Sequence, residues 1–91
     1  MLNLVWEDDA LAQFESILGY IAVQNVEAAD RLEKLIQERV ESLRSFPASG
    51  RPGRVEGTRE LVPHPNFIVI YQFDATTIDI IRILHARRQY P

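Results

Sequence analysis

The chain has 91 residues, 46% of them apolar and 25% charged, with a net charge of −3. That is an ordinary globular composition and argues against intrinsic disorder. The absence of cysteine excludes a disulfide framework and a thiolate metal site. No run approaches the ~20 apolar residues of a membrane helix, and the N-terminus lacks the basic-then-apolar pattern of a signal peptide. The expectation is one cytoplasmic domain over residues 1–91, with no membrane association.

The opening LNLVW (2–6) alternates, with Leu2, Leu4 and Trp6 on one face, and reads as a strand. Acids then stand where a helix N-terminus favours them. Leu11, Phe14, Ile17, Leu18 and Ile21 follow at helical spacing and predict a helix near 8–23. Asn25 is a cap for a second helix near 25–46, carrying Val26, Ala29, Leu32, Ile36, Val40 and Leu43, and Pro47 ends it. Residues 47–57, PASGRPGRVEG, hold three of the four glycines and form a loop. After it the period becomes strand-like: TRELV (58–62), a break at PHPN, then FIVIYQF (67–73) and IDIIRILH (78–85). The order is β-α-α-β-β-β. Short turns between the last strands predict antiparallel neighbours, so the economical fold is α+β, an antiparallel sheet packed against a helical hairpin. Leu32, Ile36, Val40, Phe14 and Leu18 should meet Ile68, Ile70 and Ile81 in its core.

The charge is uneven. Residues 1–50 carry nine acids and four bases, whereas residues 51–91 carry six arginines and four acids. A small positive face on an acidic body fits a local anion site or a protein partner better than general nucleic-acid binding. The glycine-rich loop follows a helix and precedes a strand, the reverse of a phosphate loop. His64 and His85 have no acids at ligand spacing, and no serine sits in an elbow motif, so no metal, cofactor or small-molecule substrate is implied.

The arginines remain. Strict alternation puts Arg82 on a face with Ile78, Ile80 and Leu84, and His85 with Asp79, Ile81 and Ile83. Arg82 is then either in a structural ion pair, with Glu60 or another acid, or in a binding groove. Arg51 and Arg54 are either solvated loop charges or ligands for a partner. His85 is either a hydrogen-bonded strand-end residue or an acid–base group. Tyr20 reads as helix surface or interface. If the strand ends lie together, Arg51, Arg54, Arg59, His85, Arg87 and Tyr90 converge. Such a set suits metal-free RNA cleavage through the 2′-hydroxyl, and equally docking on an acidic protein groove.

In these stretches the chain resembles the RelE/ParE superfamily of type II toxin–antitoxin toxins. The resemblance covers nearly the whole length and rests on P-x-x-G-R (47–51), G-x-R-E-L (57–61) and I-L-H-x-R-R (83–88) in that order. It implies the same β-α-α-β-β-β fold and a bacterial growth inhibitor, of the plasmid-stabilisation kind, neutralised by a cognate antitoxin. That antitoxin would wrap the toxin with an apolar helix or strand, and the acidic helix faces favour a basic segment in it. RelE-like members cut messenger RNA on the ribosome with basic residues and, in some branches, a histidine and a terminal tyrosine. ParE-like members lack that set and poison DNA gyrase. Under the first branch, Arg59 matches the second-strand arginine, His85 or Arg87 falls near the position after the last strand, and Tyr90 matches the terminal tyrosine. The loop, however, has arginines where RelE-like enzymes have lysines, and the single lysine, Lys34, is on a helix. An acidic protein also fits poorly in the anionic ribosomal A site. The resemblance therefore points to gyrase inhibition, with Arg51, Arg54, Arg59, Arg82, Arg87 and Arg88 as target-docking residues. Ribosome-dependent cleavage of messenger RNA and a non-toxic antitoxin-binding relative are the alternatives.

Overall fold

A computed structural model of the chain describes residues 1–87. Strand β1 (Asn3–Trp6) leads into helices α1 (Asp8–Gln24) and α2 (Val26–Ser42). A 3-10 turn at Pro47–Ser49 and the two-residue strand β2 (Arg51–Pro52) connect them to β3 (Arg59–His64), β4 (Phe67–Phe73) and β5 (Thr77–His85).

Asn25 makes the hairpin. Its extended backbone stops α1, its N–H closing on Ile21, while its side-chain oxygen accepts the Ala28 N–H at 3.0 Å and caps α2. Glu7, Asp8 and Asp9 stand at the positive end of α1. The second helix is shorter than its apolar stripe predicts: residues 43–45 are a turn, and Phe46 leaves helical geometry ahead of Pro47.

The sheet order is β1-β5-β4-β3-β2. The β2–β3, β3–β4 and β4–β5 pairs are antiparallel, as short turns require. The expectation of a wholly antiparallel sheet is corrected at β1, which lies parallel to β5, Leu4 opposite Ile78 and Trp6 opposite Ile80. The hairpin carries the chain away from β1, and the last strand returns beside the first with no turn to impose an antiparallel sense. The α+β class and the β-α-α-β-β-β framework stand, with β2 as a short extra edge. A second correction concerns PHPN: β3 continues through Pro63 to His64, with its register shifted between Leu61 and His64, where an irregular ladder tolerates proline.

Tyr71 pairs with Ile80 but Ile70 pairs with Arg82, so Ile81 is an extra residue in β5. The bulge inverts the alternation beyond it. Ile78, Ile80 and Ile83 all enter the main core, while Arg82 and Leu84 turn to the opposite face. The expected grouping of Arg82 with Ile78 and Ile80 is thus corrected, as is that of His85 with Asp79 and Ile81.

The main core joins Ala10 and Phe14 of α1 and Leu32, Ile36 and Val40 of α2 to Leu61, Val69, Tyr71, Ile78, Ile80 and Ile83. Trp6 stacks on Phe14 at 5.1 Å. Ile68 and Ile70, expected there, instead form a separate cluster with Leu84 on the far face, and Ile81 is half-buried at the bulge. Leu18 packs at the margin of the core. Ile36 is completely buried, so Ile36→Ala should lower unfolding stability by about 2–5 kcal/mol, read as a shift of the urea midpoint. A loss below ~1 kcal/mol would contradict this packing.

Candidate functional site

One end of the sheet is organised around Tyr71. Its ring is fully buried, its hydroxyl donates to the Pro47 carbonyl at 2.7 Å and accepts the Gly50 N–H at 2.9 Å. Arg59, paired with Tyr71 across β3–β4, donates from Nη1 to the carbonyls of Gly50 (2.7 Å) and Ala48 (3.2 Å). Its guanidinium also lies 5.8 Å from the Phe73 ring centre. Gly50 admits no side chain: a Cβ there would stand 2.5 Å from the Tyr71 hydroxyl and 2.8 Å from the Glu60 carbonyl oxygen. Arg59, singled out from sequence as a catalytic or docking residue, is engaged in holding residues 47–50 on the sheet.

The far face carries a different set. Arg51, Glu60, Ile70 and Arg82 occupy one cross-strand row from β2 to β5. Arg51 Nε donates to Glu60 Oε1 at 2.8 Å; Glu60 is 6% exposed while the Arg51 side chain is 61% exposed. Glu60 therefore has Arg51 as its partner, and β4 stands between it and Arg82, so the expected Arg82–Glu60 pair is not formed. Arg82 and Arg54 are both exposed, the latter in the loop before β3.

The convergence expected of Arg51, Arg54 and Arg59 with His85 does not occur. Strands β3 and β5 both run antiparallel to β4 and so share a direction. Arg59 begins β3 and His85 ends β5, so they lie at opposite ends of the sheet. On β4 their rows fall at Tyr71 and Phe67, four residues or roughly 13 Å apart. Arg87 is exposed just beyond β5. Arg88 and Tyr90 lie outside the described residues.

At the His85 end the hairpin and the sheet diverge into a groove of about 870 Å³. Ile17 and Ile21 of α1 and Leu32 and Leu35 of α2 form its walls, Phe67 and Ile83 its floor. Gln13, also in the lining, accepts the Ile83 N–H beyond the last pairing of β1. Tyr20, 72% exposed, stands at the mouth. Sequence reading missed this groove; its one signal was Tyr20, an aromatic residue on an exposed helical position. Among the described residues, no three of His, Cys, Asp or Glu group as metal ligands. Nor, among the described residues, is any helix long and apolar enough to cross a membrane.

Comparison with known proteins agrees over nearly the full length. A family described as the ParE toxin of the type II toxin–antitoxin system parDE matches residues 4–90. Y4kP of Sinorhizobium fredii, named as a toxin, is 37% identical, covering 94% of this chain and 90% of that protein. Toxin RelE2 of Caulobacter vibrioides is 33% identical, covering 97% of this chain and 99% of its own. Among solved structures, a chain of the chromosomal ParDE system of P. aeruginosa superposes with a TM-score of 0.82 at 28% identity, covering 93% and 96% of the two chains. The YoeB dimer of Staphylococcus aureus, with a TM-score of 0.65 at 17% identity over 98% of each chain, shares the fold.

Burial is the main cause that holds the Tyr71 phenol above its ordinary value of 10.0, outweighing the Gly50 N–H and Arg59, which act the other way. The folded state therefore keeps this proton longer than the unfolded chain. The stability it contributes is complete below about pH 10 and is lost as pH rises towards the raised folded value. Tyr71→Phe should cost about 1–3 kcal/mol at neutral pH, because it leaves the Pro47 carbonyl and Gly50 N–H unpaired. It should also flatten the alkaline fall in stability, read by urea titration between pH 8 and pH 11.

Proposed function

We infer that this chain, which belongs to the ParE toxin family of type II toxin–antitoxin systems, arrests growth by poisoning DNA gyrase and does not cleave messenger RNA. As a toxin of such a system it has a cognate antitoxin as its partner. The observation that carries the gyrase reading is the separation of Arg59 from His85 at opposite ends of the sheet. Phosphodiester cleavage needs charge-stabilising and proton-moving groups within about 3 Å of the same reacting atoms. Arg59 and His85, at two ends of the sheet, do not form such a pair, and the Arg59 guanidinium is already hydrogen-bonded to two backbone carbonyls, which supports docking over catalysis for it.

Docking makes different demands. Arg51 and Arg82 on the far face, with Arg54 exposed in the loop before β3 and Arg87 exposed beyond β5, present separated cations suited to a broad anionic protein surface, where each contact adds a modest share. Arg59 supports this surface indirectly, by holding the loop from which β2 and Arg51 project. The apolar groove at the other end is the antitoxin's seat, and the protein works in the cytoplasm, where gyrase acts.

Expression without antitoxin should induce the DNA-damage response and trap protein-linked cleaved DNA while translation persists at first. Purified protein should inhibit gyrase and leave messages on programmed ribosomes intact. Arg51→Ala with Arg82→Ala should weaken gyrase inhibition in a graded way, by about tenfold together. Codon-positioned cuts that vanish on replacing Arg59, His85 or Tyr90 would overturn this reading in favour of a ribosome-dependent nuclease. Absence of any growth arrest would make the chain a non-toxic antitoxin binder.

A further inference from the structure

His64 ends β3, His85 ends β5, and Phe67 opens β4 between them, so the three occupy one cross-strand row at the mouth of the groove. The rings are in contact: Phe67 lies 5.7 Å from His64 and 5.5 Å from His85, centre to centre. Both imidazoles make the same local bond. His64 Nδ1 accepts the Asn66 N–H at 3.0 Å, and His85 Nδ1 accepts the Arg87 N–H at 3.2 Å. A ring that accepts at Nδ1 carries its hydrogen on Nε2. Backbone bonds two residues on thus orient two Nε2–H donors on either side of one phenyl ring.

The surroundings specify the acceptor. Arg31, from α2, is the charged residue of the lining, and among the described residues the lining contains no aspartate or glutamate. The walls run over residues 13–21 of α1 and 28–35 of α2, with Ile17, Ile21, Leu32 and Leu35 as their apolar positions, each span about two helical turns or roughly 11 Å long. A chain segment seated here needs an apolar stripe against Ile17, Leu32 and Phe67 and an anionic group for the donors. The net acidic character of the helical half predicted a basic partner segment; this groove has the opposite polarity.

We propose that His64 and His85, with Arg31, form a carboxylate clamp that receives an aspartate or glutamate of an amphipathic antitoxin helix laid in this groove. The proposal rests on the assignment of an antitoxin partner above. The apolar stripe supplies most of the affinity, and the clamp selects the register and the partner, because an uncharged or basic residue at that position leaves donors unpaired or repelled.

The test uses the antitoxin encoded in the neighbouring reading frame, labelled and titrated with toxin variants. His64→Leu with His85→Leu should weaken binding by tenfold or more, as expected for lost hydrogen bonds to a charged group. His64→Gln with His85→Gln, whose side-chain amides retain a donor near the Nε2 position, should stay within about threefold of the unaltered toxin. Exchanging each antitoxin Asp or Glu for its amide should reveal one position whose loss is not additive with His85→Leu. Arg31→Gln, on an exposed helical position, gives a variant whose thermal midpoint should not move and whose affinity should fall. Equal affinity of the leucine variant and the unaltered toxin, or additivity at every antitoxin acid, would overturn the clamp while leaving the antitoxin assignment intact. Failure of the unaltered toxin to bind any antitoxin would overturn the assignment itself.

Discussion

The chain passes from the helical hairpin to the sheet through residues 43–50, and the crossing is held by the buried hydroxyl of Tyr71. That hydroxyl donates to Pro47 and accepts from Gly50, and Arg59 takes the Ala48 and Gly50 carbonyls from the adjacent strand. Backbone groups in a short 3-10 turn have few intrinsic partners, and leaving them buried and unpaired is costly. Satisfying them from the centre of the sheet fixes where β2 starts, and β2 in turn sets Arg51 opposite Glu60. Gly50 is required because a Cβ would collide with the very atoms that make this connection. The placement of Arg51 and Arg59 therefore descends from one phenol.

The second constraint is the extra residue in β5. Without the bulge at Ile81, strict alternation would send Arg82 towards the helices and His85 away from them. With it, Ile83 and His85 face the hairpin and Arg82 joins the open face. The sheet consequently has two faces of different chemistry. Its helical side ends in an apolar groove with donors on the rim, and its far side carries cations on a partly apolar row. The proposed antitoxin seat and the proposed target-docking face therefore use different side chains, although the strands β3 and β5 run through both.

Glu60 shows how the far face tolerates a nearly buried carboxylate. It is covered by Arg51, whose guanidinium stays largely in water while its Nε satisfies the carboxylate. A pair of this kind contributes little net stability, since desolvation offsets much of the attraction. Its effect is to hold a short edge strand in register. The edge is then two residues long and occupied by an arginine and a proline, both of which discourage pairing with another chain.

Local pattern determined much of this protein. The helical period of residues 11–22 and 26–43, the Asn25 cap, the glycine-rich loop and the strand periods after it are properties of neighbouring residues, and burial of one face follows from them. The motifs PASGR, GTREL and ILHARR were legible for the same reason, and they pointed to the family that the full-length comparison then supported. What the sequence could not determine was non-local or depended on a single inserted residue. The parallel seat of β1 beside β5 is a contact between the first and last elements, with no turn to signal it. The bulge leaves composition unchanged yet reverses the face of every residue after it, because side-chain direction in a strand has a period of two. Arg59 looked like a free cation until the turn it holds was folded against it. His64 and His85, 21 positions apart in the chain, became a pair only when β3 and β5 were set on either side of β4. Charge and spacing along a chain do not reveal which strand ends share an edge of the sheet; the pairing of the strands decides it.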